Sequence, residues 1–158
     1  MTLLLVQGGG RLRLRGGGIM LLQSQTTGPH PRAPSARSVD AGFGLTTLTW
    51  VRPLDPHEII FYSINWAEEL DGTNDSIRSD GSFWTLSGTA IAAGIINPGG
   101  ANSHDSRSAT IWLSIDESRR GDDIWLAGQT HVLPHRIETI GGQTLERVVN
   151  LTVRSFQN

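Results

Sequence analysis

Ile59-Ile60-Phe61-Tyr62-Ser63-Ile64-Asn65-Trp66 is the stretch whose reading decides the fold. Taken alternately, Ile60, Tyr62, Ile64 and Trp66 form one apolar row, the two-residue period of a strand buried on a single face. Leu145, Val149, Leu151 and Val153 repeat that spacing near the far end, with a disturbance at Arg147 and Val148 that reads as a bulge. Working outward from these two segments, strands are predicted near 45–52, 58–66, 76–86, 88–96, 106–115, 124–133, 135–140 and 143–156. The turn signals between them are Asp71-Gly72, Asp80-Gly81, Asn97-Pro98-Gly99-Gly100, Gly121 and Gly141-Gly142. Only Asn65 to Leu70 suits a helix, hardly more than one turn, because Gly, Pro and β-branched residues oppose helix elsewhere. Many short strands at this spacing predict an all-β antiparallel sandwich.

The 158 residues suffice for one domain with a real core. Charged residues make up only 18% of the chain, which suits a Ser, Thr, Asn and Gly surface or a surface hidden in an assembly. All 13 basic residues are arginine. Arginine suits interfaces, since its planar fork pairs bidentately while its stem packs, although codon bias in a GC-rich genome explains the same composition. Residues 1–40 carry five arginines (Arg11, Arg13, Arg15, Arg32 and Arg37) against Asp40 alone, so a basic arm precedes an acidic body. Complementary fields of this kind steer contacts between copies of one chain, and the acidic body repels a nucleic-acid backbone. Specific nucleic-acid binding is therefore not expected. With no cysteine, disulfide and thiolate chemistry are excluded. No run is long enough to span a bilayer, and Leu3-Leu4-Leu5-Val6 lacks the flanks of a targeting segment.

The arm has internal order of its own. Leu3 to Val6, Arg11-Leu12-Arg13-Leu14-Arg15 and Ile19-Met20-Leu21-Leu22 are separated by the triplets Gly8 to Gly10 and Gly16 to Gly18. Alternation places Leu12 and Leu14 on one face and the three arginines on the other, and each triplet supplies the positive φ angles of tight connections. Three such strands bury little surface alone, so they are predicted to order against a partner. Leu4, Val6, Arg11, Leu12, Arg13, Leu14, Arg15, Ile19 and Leu21 are the expected interface. The division that follows is a β arm over 1–24, a Pro-rich linker over 25–44 with Pro29, Pro31 and Pro34, and a body over 45–158.

Candidate sites are few. Trp50, Trp66, Trp84, Trp112 and Trp125 are expected in core or interface positions, and the core is predicted to hold Trp50, Tyr62, Ile64, Trp66, Trp84, Trp112, Leu151 and Val153. His131 and His135 straddle Pro134; on an extended strand their Cα atoms stand about 13 Å apart, too far to share a metal. The acidic pairs Asp71/Asp75, Asp116/Glu117 and Asp122/Asp123 lack a calcium-loop pattern and read as solvated loops. Ser114 has no flanking glycines of a nucleophile elbow, and Gly8 to Gly18 lacks the ending of a phosphate loop. Neither enzyme activity nor a cofactor is expected.

With that strand map, Trp50 to the C-terminus resembles the phage fibre-tail adaptor proteins. The resemblance rests on Asp55-Pro56-x-Glu58 leading to Tyr62-x-Ile64-x-Trp66, on Ile77 and Trp84, on Ile111-Trp112-Leu113-Ser114, and on the closing strand from Gly142 to Val153 with Arg147. Ile115 to Gly121 replaces that family's compact glycine turn, Trp125 stands near its tyrosine, and Glu138 to Gln143 replaces its hairpin. The resemblance implies an Ig-like body, no catalytic residues, and a virion location. Its implied partners are other phage structural proteins and copies of itself in a symmetric assembly. Fibre attachment is the leading expectation, with head-tail neck or capsid decoration beside it. A carbohydrate-binding sandwich that stacks sugars on Trp84 or Trp125 is the reading from a different class.

Overall fold

The computed structural model describes residues 33–156 and, ahead of them, the backbone of two short strands, β1 (Leu12–Arg13) and β2 (Ile19–Met20). These two pair antiparallel, Leu12 opposite Met20 and Arg13 opposite Ile19. Leu4, Val6, Arg11, Leu14, Arg15 and Leu21, with the side chains of Leu12, Arg13 and Ile19, lie outside the described residues.

The body is mostly β, in two mixed sheets. One has the order β4 (Thr47–Thr49), β11 (Thr144–Val153), β10 (Gln129–Thr139), β6 (Ile77–Trp84). The other runs β3 (Ser38–Asp40), β5 (Ile59–Asn65), β9 (Ser108–Ile115), with β7 (Ile95–Ile96) and β8 (Asn102–His104) both on the far edge of β9. The pairing is not antiparallel throughout: β4 runs parallel to β11 and β3 parallel to β5. The expected linker over 25–44 therefore enters the fold before its end, since β3 is a sheet edge. The predicted alternation of β5 holds, with Tyr62, Ile64 and Trp66 buried. They face Leu133 and Ile137 of β10 and Val149, Leu151 and Val153 of β11 in one core. Trp50 joins the sheets, its ring 4.7 Å from Tyr62 and 5.9 Å from Trp84, and its indole N–H donates to the Ser63 carbonyl at 2.8 Å.

Two expected strands are partly helical. Residues 88–96 form α2 (Gly88–Ala93) before the two-residue β7. Ser87 caps the helix by accepting from the Ala90 amide at 3.2 Å, and Gly94 closes it at φ 92. A cap at each end and three alanines outweigh Thr89 and Ile91. Residues 124–127 form α3, which buries Trp125. The anticipated helix near 65–70 is α1 (Ala67–Asp71).

Pro134 does not divide residues 129–139, which are a single strand. Its carbonyl accepts from Thr85 at 3.0 Å, so its missing N–H points along the same edge and the ladder to β6 stops at Trp84 opposite His135. No bulge occurs at Arg147 and Val148, where the register with β10 is continuous. Arg147 takes an inward position and makes an ion pair instead. The irregularity lies between Ile137 and Thr139, where β6 inserts extra residues. Asp80-Gly81, expected as a turn, falls in that insertion; a Cβ on Gly81 would stand 2.3 Å from the Glu138 carbonyl oxygen.

Candidate interaction surface

The polar groups between the sheets are structural. His135 is fully buried; the Trp66 indole N–H donates to its Nδ1 at 3.2 Å, and Nε2 lies 3.0 Å from Ser82 Oγ. An Nδ1 that accepts leaves the proton on Nε2, which donates to the serine. Trp84 stacks on the imidazole at 4.1 Å. Burial, with His104 adding to it, pushes the His135 pKa down to about 3. Both nitrogens are occupied and the ring is neutral, so His135 is neither a ligand nor a general base at neutral pH. His131 also points inward, at the edge of the Trp125 ring, and burial lowers its pKa. Among the described residues no group of three or more His, Asp or Glu converges as a metal site. At the end of the sandwich Arg147 pairs with Glu69 at 3.0 Å and lies 5.3 Å from the Trp66 ring centre. That pair shields the buried Trp66 from solvent.

The outward side of β5 and β9 is covered at its hydroxyl-bearing positions, while Ile59 is exposed and Phe61, Asn65 and Trp112 are half-buried. Ser63, Ser108, Thr110 and Ser114 alternate with the core residues yet are buried themselves. Ser63 Oγ and Thr110 Oγ1 lie 2.8 Å apart, and the Ala33 amide reaches Ser63 Oγ at 3.4 Å. Arg37 lies over the Phe61 ring at 4.7 Å and donates to the Phe61 carbonyl at 3.1 Å. Phe61 in turn packs on Trp112 at 4.9 Å. Trp112 is thus on the outer face and half-buried, against the core position expected for it. Parity decides this, because Ala109, Ile111, Leu113 and Ile115 fill the inward positions of β9. Trp84 is partly buried against the core, whereas Trp50, Tyr62, Ile64, Trp66, Leu151 and Val153 are buried in it. Trp125, whose placement sequence alone left between core and interface, is buried with its indole N–H on the Arg119 carbonyl at 2.7 Å.

The outward side of β4, β11 and β10 is open and different in composition. Its rows follow from the register: Thr152 beside Thr130, then Thr49, Asn150 and Val132, then Thr47, Val148 and Pro134. None of these eight side chains is ionisable. Thr47, Thr49, Thr130 and Val132 are exposed, and the others are half-buried by one another. Asn150 donates to Thr49 Oγ1 at 3.3 Å, and the Thr130 and Thr152 hydroxyls lie 3.2 Å apart. Charge is confined to the far half of the face, where Arg78 pairs with Glu138 and Asp80, and Arg136 covers Phe83 at 4.7 Å. An uncharged, β-branched patch with its polar groups partly satisfied among themselves loses little on desolvation. The lack of charge is a trait it shares with the centre of a protein interface. The sequence held its signal in Thr47, Thr49, Thr130, Val132, Val148 and Thr152, solvent-side positions without a charge, whereas Arg136, Glu138 and Glu146 follow on the same side of β10 and β11.

Comparison with protein-family models, with curated proteins and with solved structures finds no match to this chain.

Proposed function

We propose that this chain is a non-enzymatic assembly module of a phage particle, an Ig-like sandwich that adapts the tail to its fibres. The observation that carries the proposal is the uncharged half of the outer face of β4, β11 and β10, from Thr47 and Pro134 to Thr130 and Thr152, which suits contact with another folded surface rather than small-molecule chemistry. The Ig-like part is supported by the order of pairing. Strands β5, β9 and β7 or β8 take the places of B, E and D, and β6, β10 and β11 those of C, F and G, with β4 beside β11. The parallel β3 departs from that scheme. Antibody domains join the B and F strands by a disulfide against a tryptophan on C. In this cysteine-free chain the hydrogen bond from Trp66 to His135 spans the corresponding strands, and Trp84 of β6 stacks on it.

The two tryptophans expected to stack sugars do not favour that role. Trp125 is buried, and the Trp84 ring lies against His135. Head-tail neck or capsid decoration uses the same kind of surface and differs only in location. A density map of the whole particle separates these. The proposal predicts this chain at the junction of tail and fibre, with Val132 and Val148 buried against another protein. Copies found only on tailless heads would move it to capsid decoration, and absence from particles would overturn it.

A further inference from the structure

We propose that the α1 end of the sandwich is the landing site for the basic arm of a second copy of this chain. The proposal rests on the assembly reading above and names the partner of one of its surfaces. It starts from the charge balance once the body is known to begin by Ala33. Arg37 belongs to the body, through Phe61, so residues 1–32 hold Arg11, Arg13, Arg15 and Arg32 with no acid, and residues 33–158 hold nine arginines against fifteen acids.

The acidic excess is not evenly spread. Around α1 stand Asp40, Glu68, Glu69, Asp71 and Asp75, and the two arginines there are already committed, Arg147 to Glu69 and Arg107 to Asp71. Glu68 is exposed, Asp40 accepts from Asn65 at 2.9 Å, and neither carboxylate has an ion-pair partner among the described residues. At the other end, Asp116, Glu117, Asp122 and Asp123 stand against Arg119, Arg120 and Arg154, whose stem lies beside Gly128, so the exposed Ile124 and Leu126 there sit in a less acidic field, a net of −1 against −3 around α1.

Apolar surface stands beside the unpaired acids. The loop from Gly42 to Leu45 lies on α1 through two glycine approaches: a Cβ on Gly42 would come 3.0 Å from Glu68 Oε2, and one on Gly72 would come 2.6 Å from Phe43 Cζ. Held this way, Phe43 and Leu45 are 59% and 51% exposed next to Glu68. Carboxylates flanking two exposed apolar side chains are the complement of Arg11-Leu12-Arg13-Leu14-Arg15, whose alternation puts arginines on one face and leucines on the other. Pro29, Pro31 and Pro34 favour extended backbone between arm and body, which gives the arm the reach to meet a neighbouring copy.

Because the chain has no cysteine, introduced pairs report cleanly. Full-length protein carrying Leu14→Cys is mixed with full-length protein carrying Leu45→Cys and oxidised, with Leu126→Cys as the control body. The expected result is a disulfide between copies at 14 and 45, absent with the control, lost on adding Glu68→Arg to the body, and regained when the arm also carries Arg13→Glu. Equal crosslinking to Leu126→Cys overturns the site, and so does a crosslink untouched by Glu68→Arg. No crosslink in the mixture, with ring closure inside one chain carrying both cysteines, overturns the second copy as occupant. Particle incorporation is scored separately. A specific 14–45 crosslink in a protein that never enters particles upholds the landing site and overturns the virion reading. Loss of incorporation on removing the arm, without the crosslink, does the reverse.

Discussion

The two outer faces of the sandwich are built from similar residues and put to opposite use. On β5 and β9 the outward Ser63, Thr110 and Ser114 are buried, and Arg37 and Ala33 lie across that side. On β10 and β11 the outward Thr130, Val132 and Thr152 have no described segment laid over them, and two of the three are exposed. Hydroxyl and β-branched side chains fit either fate, because they desolvate cheaply when their hydroxyls find partners. The difference teaches that one face has been closed by the protein's own chain, and the other has the same chemistry with nothing of the described chain over it.

Placing a charge on each face gives the largest contrast. Thr110→Arg buries an unpaired cation beside Ser63 and is expected to cost about 3 to 5 kcal/mol, read as a fall in the urea midpoint. A wild-type midpoint for that variant would show that Thr110 is not covered. Acid acts on the joint between the faces rather than on either one. The folded pKa of His135 lies near 3, below the ordinary 6.5, so its contribution to stability is complete above pH 6.5 and is lost as pH falls toward 3. The loss is on the order of 3 kcal/mol at pH 4, and His135→Gln should flatten the slope between pH 6.5 and 4.5. Arg37→Ala removes the cover of Phe61 and one hydrogen bond, for about 1 to 2 kcal/mol in the same measurement. Val132→Arg on the open face should leave stability within about 0.5 kcal/mol of wild type, while abolishing capture of the partner by pull-down from assembled particles.

The β-strand pattern was legible wherever large apolar residues alternate with other types, as in Ile60 to Trp66 and Leu145 to Val153, whether the outward side is covered, as at Ser63, or open, as along β11. Three features were not. The helix α2 depends on Ser87 and Gly94 acting as caps at both ends of a six-residue run, a local effect that strand-like Thr89 and Ile91 mask. Arg147 broke the apolar alternation on paper because its partner Glu69 is distant in sequence; with that pair in place the arginine is an inward residue. Trp112 was misplaced because tryptophan area suggests the core, whereas strand parity assigns it to the outer face beside Phe61. Among candidate sites, the depth of the histidines was not legible, because the burial of His135 and His131 depends on tertiary contacts to Trp66, Trp84 and Trp125. The open face was missed altogether, since the grouping of its uncharged positions in one half of the face shows only once the pairing of the three strands is known.

The central claim is that folding and assembly are separate properties of this chain, the first held by the core of the sandwich and the second by its open face together with the arm. Deleting residues 1–24 tests it most directly, with far-ultraviolet circular dichroism and the urea midpoint reporting the fold and sedimentation velocity with particle incorporation reporting assembly. The account predicts a soluble body with an unchanged midpoint that no longer self-associates or enters particles. Assembly at the wild-type level by the truncated chain would contradict it.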